Sequence, residues 1–225
     1  MGDMIEKVRE ERLSSFEGLQ LTDQTYNLAI GLTLVVGILV DMIIAHYLTD
    51  LVFRLSPILM LIIYLAGSIG CTMVIYRSAK PIVSFLGFLG LSVCMGLMLT
   101  YFISLYDLGT VQLAFTLTGG VFVVMVVLST LFPAFFLSIG RGLGITLLVT
   151  IVVEVIATLV LRRALMITDY IIVLVFCGYV GFDWARAQRF PKTLDNAIDC
   201  AADIYVDIIN LFIRILSILG RSKKN

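Results

Sequence analysis

Seven runs of roughly twenty apolar residues, parted by joints too short to hold a second domain, leave this chain few folds to choose from. They extend approximately over 28–46, 56–76, 81–101, 111–132, 143–161, 166–185 and 197–219. A bilayer core of about 30 Å takes about twenty helical residues, because lipid offers the backbone no hydrogen-bond partners outside its own segment. The joints carry charge or helix breakers: Asp50 to Arg54, Arg77 to Lys80, Asp107 to Gly109, Pro133 to Gly142, Arg162-Arg163, and Arg186 to Asn196 around Pro191. Pro57 and Pro81 stand at helix starts, where the missing N–H has no partner to lose. The expected fold is an all-α integral membrane bundle of seven transmembrane helices. Its expected domains are a cytosolic tail over 1–26, a membrane domain over 27–220 and a short tail over 221–225.

Composition agrees, with 60% hydrophobic and only 14% charged residues. Sixteen basic residues balance sixteen acidic ones, so no net field points to nucleic acid or an anionic surface. The N-terminal stretch is charged and lacks the basic-then-apolar form of a cleavable signal. Glu6 stands where a myristoylation motif needs Ser or Thr. Cys71, Cys94, Cys177 and Cys200 have no CxxC spacing and read as packing residues. Lys and Arg outnumber their counterparts on the side that an N-inside topology makes cytosolic, so the N-terminus is expected there. The basic C-terminal tail pulls the other way.

Ionisable side chains inside spans are costly and normally face the bundle interior or a water-filled path. They gather in the last run, where Asp199, Asp203, Asp207, Asn210 and Arg214 share one helical face. A polar stripe cannot face acyl chains, so the last helix is expected at the centre of the bundle. The sixth and seventh runs form a hairpin turning near Asp195. Counting outward from it sets Asp183 level with Asp207, while Arg186 comes opposite Asp203 and Arg189 near Asp199. Two carboxylates in one low-dielectric site resist joint ionisation and titrate as a coupled unit, which is the chemistry of a pH sensor. Asp41, Glu154 and Arg214 also lie within spans; Arg214 can pair with either acid, or the acids can line an outer entrance. The expected ion path therefore runs by Asp203, Asn210, Glu154 and Asp41. His46, the single histidine, reads as interfacial.

The run Ala202-Asp203-Ile204-Tyr205-Val206-Asp207-Ile208-Ile209-Asn210-Leu211-Phe212 resembles the signature of the Bax inhibitor-1, or transmembrane Bax inhibitor motif, family. The seven-span layout and Thr25-Tyr26-Asn27-Leu28 at the first helix start are similar too. The resemblance implies a last helix wrapped by the other six and a calcium leak whose pH-responsive site pairs Asp183 with Asp207, a weak calcium site at best. It also implies that Arg77, in Ile75-Tyr76-Arg77, latches onto the pair as in bacterial-type members, which would put the chain in a bacterial plasma membrane. Phe182 departs from the Tyr that often precedes the aspartate. No cofactor is implied; the partners are the lipid bilayer, calcium ions and a membrane-protein partner, since members are also associated with modulation of cell death or of membrane proteases. That association is the alternative: a non-conducting regulator.

Enzyme readings fail on residues. A retinal protein needs an intramembrane lysine, and every Lys lies outside the spans. His46 has no Gly-x-Ser-Gly partner for a rhomboid-like protease. The segment Gly178-Tyr179-Val180-Gly181-Phe182-Asp183 lacks the Gly-x-Gly-Asp of di-aspartyl intramembrane proteases.

Overall fold

The computed structural model describes residues 20–162 and 166–222. Among them lie eight α-helices: α1 (Asp23–Tyr47), α2 (Thr49–Arg54), α3 (Pro57–Arg77), α4 (Pro81–Ile103), α5 (Leu108–Leu131), α6 (Pro133–Ile156), α7 (Met166–Ala187) and α8 (Leu194–Ser222). A π-helical turn, Ala157–Leu161, extends α6 and ends at Arg162, whose φ of 51° is left-handed. Six of the helices are long and apolar enough to cross a membrane, and the chain is a multi-pass membrane protein. The 29-residue α8 carries too much charge to be counted with them on composition alone.

Local chemistry explains the starts. Thr22, Ser56 and Asp107 accept hydrogen bonds from the backbone N–H of Thr25, Leu59 and Thr110, satisfying donors the helix itself cannot. Pro57, Pro81 and Pro133 occupy the first turn, where proline is tolerated. Pro133 corrects the fifth run. Expected from Leu143 after a ten-residue joint, the helix instead begins at Pro133 and takes in Gly140, Arg141, Gly142 and Gly144. At two of these glycines a neighbour takes the place of a side chain: a Cβ at Gly140 would overlap the Phe182 ring, and one at Gly144 would touch the Tyr179 hydroxyl. The Asp50 to Arg54 joint is itself the short helix α2.

Both faces of the spans are apolar, so their sequence does not say which side is buried. On α1, Tyr26, Ile30, Leu34, Gly37, Asp41 and Ile44 are buried, while Leu28, Leu32, Leu39 and Met42 are exposed. Hydroxyls within the spans bond to their own backbone: Thr33 to Ala29, Ser92 to Phe88, Thr100 to Gly96 and Thr118 to Ala114. That satisfies them without water.

The chain divides into two compact units. The first holds the described residues up to Ser104 together with Ala187–Tyr205; the second holds Leu105–Arg186 and the chain from Val206. In the first unit α3 and α4 interlock, the Cys94 thiol lying where a Cβ at Gly67 would go and the Cys71 thiol at Gly90. Between helices in lipid there is no hydrophobic drive, so such close approach of backbones supplies the attraction. The start of α1 is fastened to the segment before α8: the Tyr26 hydroxyl donates to Ala187 O at 3.2 Å, Lys192 lies 4.7 Å from the Tyr26 ring centroid, and Gln188 bonds Asn27 at 3.0 Å.

In the second unit α6 and α7 interlock by glycine and aromatic side chains, Gly140 against Phe182 and Gly181 against Phe136. The Ser129 hydroxyl donates to Gly181 O, and Trp184 Nε1 to the Thr130 hydroxyl at 3.0 Å, tying α7 to α5. From Asp195 to Arg221 no residue of α8 is exposed. Along the polar stripe Asp199 and Asp207 are buried, and Asp203, Asn210 and Arg214 are half-buried. Residues 1–19 of the expected N-terminal tail, together with Arg163, Lys223 and Lys224, which entered the topology count, lie outside the described residues.

Candidate functional site

Every fourth position of α8 from its first turn carries an aspartate: Asp195, Asp199, Asp203 and Asp207. A spacing of four residues keeps them on one slowly turning face. In the first unit, hydroxyls from neighbouring helices serve this face. Ser84 of α4 donates to Asp195 Oδ1 at 2.7 Å, with both side chains buried. Tyr76 of α3 donates to Asp203 Oδ1. Tyr205, on another side of α8, donates to the carboxylate of Asp41 on α1. Asp41, one of the two acids read from the sequence as open to Arg214, takes this tyrosine bond. Asp199 is fully buried.

Asp183 and Asp207 both belong to the second unit. Asp183 is half-buried in the last turn but one of α7, and Asp207 is 6% exposed. Tyr179, one helical turn before Asp183, lies within electrostatic reach of both carboxylates. Phe182, next to Asp183 in sequence, has no hydroxyl to offer. Phe182 packs between Gly140 and the Arg186 guanidinium, whose carbon lies 5.9 Å from the ring centroid. The Ser129 and Trp184 bonds flank Asp183 on both sides and fix its backbone to α5. Arg77 ends α3 in the first unit, with an exposed side chain.

Asn210 donates its amide to Val206 O at 2.8 Å on its own helix. Four residues on, Arg214 enters the other charged cluster of the second unit. Its guanidinium grips Glu154 of α6 at both oxygens, 2.9 and 3.1 Å, and Asp169 of α7 at 2.9 Å. Arg221 pairs with the second oxygen of Asp169 at 2.7 Å. Asp169 is 1% exposed and held between two arginines. A planar fork facing a carboxylate makes the strongest class of side-chain hydrogen bond.

Sequence reasoning reached Glu154 and Arg214 but passed over Asp169 and Arg221. The signal was present: Glu154 and Asp169 are equidistant from the joint between Leu161 and Arg162, the same depth count that sets Asp183 against Asp207. Tyr76, Ser84 and Tyr205 were passed over because a hydroxyl in a span reads as packing until its partner is known. Among the described residues no group of three or more His, Cys, Asp or Glu side chains is arranged to hold a metal ion.

The family model described as "Inhibitor of apoptosis-promoting Bax1" matches residues 20–224. The proteins named "Golgi anti-apoptotic protein" of vaccinia virus strains Lister, LC16m0 and LC16m8 are each 27% identical to this chain over 172 residues, covering 75% of it and 71% of their own length.

Proposed function

The chain belongs to the Bax inhibitor-1 family, non-enzymatic membrane proteins whose members are associated with protection from apoptosis and with calcium leak, and from that premise we propose that it is a pH-sensitive calcium leak channel gated by Asp183 and Asp207. The observation that supports this most is the shared neighbourhood of the two carboxylates on α7 and α8, both within reach of the Tyr179 hydroxyl. Two acids held together in a low dielectric share a proton, so their joint charge changes with pH. We further propose α8 as the seventh span and the central helix, a reading supported by its length and by the absence of any exposed residue from Asp195 to Arg221.

In this reading Arg77 has the latch role that the family resemblance implies, stabilising the ionised pair in the closed state. Proton uptake weakens the charge-assisted hydrogen bonds that hold the guanidinium. Acidification then releases the latch and raises the leak. The proposal keeps Asp203, Asn210, Glu154 and Asp41 as path residues, although the bonds of Asp41 to Tyr205, of Asn210 to its own helix and of Glu154 to Arg214 must yield before any of the three serves an ion. Calcium takes six to eight oxygen ligands. Two carboxylates with carbonyls and water bind it weakly, as passage requires. A cytosolic N-terminus and a bacterial plasma membrane are part of the same proposal.

A second reading is favoured by the viral relatives, named as anti-apoptotic proteins: a non-conducting regulator that binds a membrane protease or cell-death partner. Liposomes containing this protein alone separate the two. Calcium entry above that of empty liposomes supports the channel; intact, correctly inserted protein with no flux at any pH supports the regulator.

A further inference from the structure

Asp41 lies well inside α1, 4% exposed, and its two oxygens sit 2.8 and 2.9 Å from the hydroxyl of Tyr205, which is fully buried. Both residues belong to the first unit. That hydroxyl has one proton, whereas an ionised carboxylate offers about four acceptor sites. Nothing cationic makes up the difference. Among the described residues no Lys, Arg or His lies within ion-pair distance of Asp41. His46 on α1 and Asp50 and Arg54 on α2 are exposed. From α4 the titratable neighbour is the Cys94 thiol, which lies within electrostatic reach of Tyr205. The Ser92 hydroxyl on α4 bonds Phe88 O and also lies within hydrogen-bond reach of the Tyr205 hydroxyl, and Thr100 gives its proton to Gly96 O. From α8 the group that meets Asp41 is the Tyr205 hydroxyl, while Asp203 accepts a bond from Tyr76.

Space is as restricted as charge. A Cβ at Gly96 would lie 2.8 Å from Asp41 Oδ1 and 2.9 Å from Ile44 Cδ1, so the α4 backbone closes directly on the carboxyl. One turn earlier, Gly37 abuts the rings of Phe88 and Tyr205, which meet edge to face at 5.4 Å. An ionised carboxylate so enclosed is uncompensated, and such a group takes up a proton in preference to remaining charged.

We propose that Asp41 is a proton-binding site separate from Asp183 and Asp207, a carboxylic acid that keeps its proton at neutral pH and bonds α1 to α8 through Tyr205. With the proton in place, one oxygen accepts the Tyr205 hydroxyl and the other donates, so both short distances are satisfied. Loss of the proton leaves a charge at the contact between α1, α4 and the N-terminal half of α8. The site does not depend on the proposed channel activity, and it would stand if the protein conducts nothing.

Infrared spectroscopy of the full-length protein in lipid nanodiscs tests it, through the carbonyl stretch of protonated carboxyl groups at neutral pH. Asp41→Asn is expected to remove one carboxylic-acid band, and to remove it equally in an Asp183→Asn/Asp207→Asn background. Tyr205→Phe is expected to keep that band and shift its frequency, because the hydrogen bond goes while the proton stays. A spectrum unchanged by Asp41→Asn overturns the proposal. So does a doubly substituted background with no acid band left for Asp41 to supply. Should Asp41→Asn not yield folded protein, Tyr205→Phe decides: a shifted band supports the proposal and an unmoved spectrum overturns it.

Discussion

Replacing Arg214 by Gln removes the guanidinium that joins Glu154 of α6 and Asp169 of α7 to α8. Three charge-assisted hydrogen bonds are lost, at 2.9, 3.1 and 2.9 Å. The side chains of Arg214 and Glu154 are 26% and 21% exposed and that of Asp169 1%, so solvent screens the first contact in part and the second hardly at all. Breaking a fully buried pair costs about 3–5 kcal/mol and a surface pair about 0–1 kcal/mol. For this mixed case, with Arg221 still on Asp169, a loss of about 2–3 kcal/mol follows. At roughly 2–4 °C per kcal/mol for a chain of this size, the melting temperature falls by about 4–12 °C. The assay is thermal unfolding in detergent of Arg214→Gln, Glu154→Gln and the double variant. The double variant should be less destabilised than the sum of the singles, with a coupling of about 1 kcal/mol or more. Strictly additive losses would mean that the cluster is not held as described, and the reasoning fails.

Other substitutions separate close contacts from open ones. Gly181→Ala and Gly140→Ala drive a methyl into Phe136 and Phe182, and each should cost about 1–3 kcal/mol in the same assay. Gly70→Ala and Gly119→Ala meet nothing within 4 Å and should be neutral or slightly stabilising, by up to about 1 kcal/mol. Tyr76→Phe deprives Asp203 of its hydroxyl donor and should lower stability by about 1–3 kcal/mol; no change on unfolding would show that another donor replaces it. Arg77→Ala should raise calcium entry into liposomes at neutral pH, where the proposed latch is closed; unchanged entry would remove Arg77 from the gate.

Much of this was legible because lipid leaves a helix few choices. Apolar runs bounded by Pro57, Pro81 or a charged joint gave helices ending within a few residues of expectation. The start of α6 was misread because Pro133 and three glycines look like a loop in water. In the structure the proline opens the helix, and Gly140 and Gly144 make room for Phe182 and Tyr179. Burial could not be read on α1 to α7, since lipid and protein faces are equally apolar. It could on α8, whose aspartates must be covered. The partners of buried acids were harder. Charge alone offered Arg214 to both Asp41 and Glu154, and only geometry gives Tyr205 to the first and Arg214 to the second. Asp169 escaped notice because one acid near a span end looks like solvated joint, although its depth matches Glu154.

The central claim is that protonation of Asp183 and Asp207 controls a cation leak. It is tested most directly by calcium-dye entry into liposomes holding only this protein, measured from about pH 6 to 8, a range that brackets a shared proton in a buried carboxyl pair. The account predicts entry that rises on acidification in the wild type, and a flattened profile in Asp183→Asn and in Asp207→Asn. If both variants conduct and keep the wild-type pH profile, the pair is structural and the gate lies elsewhere.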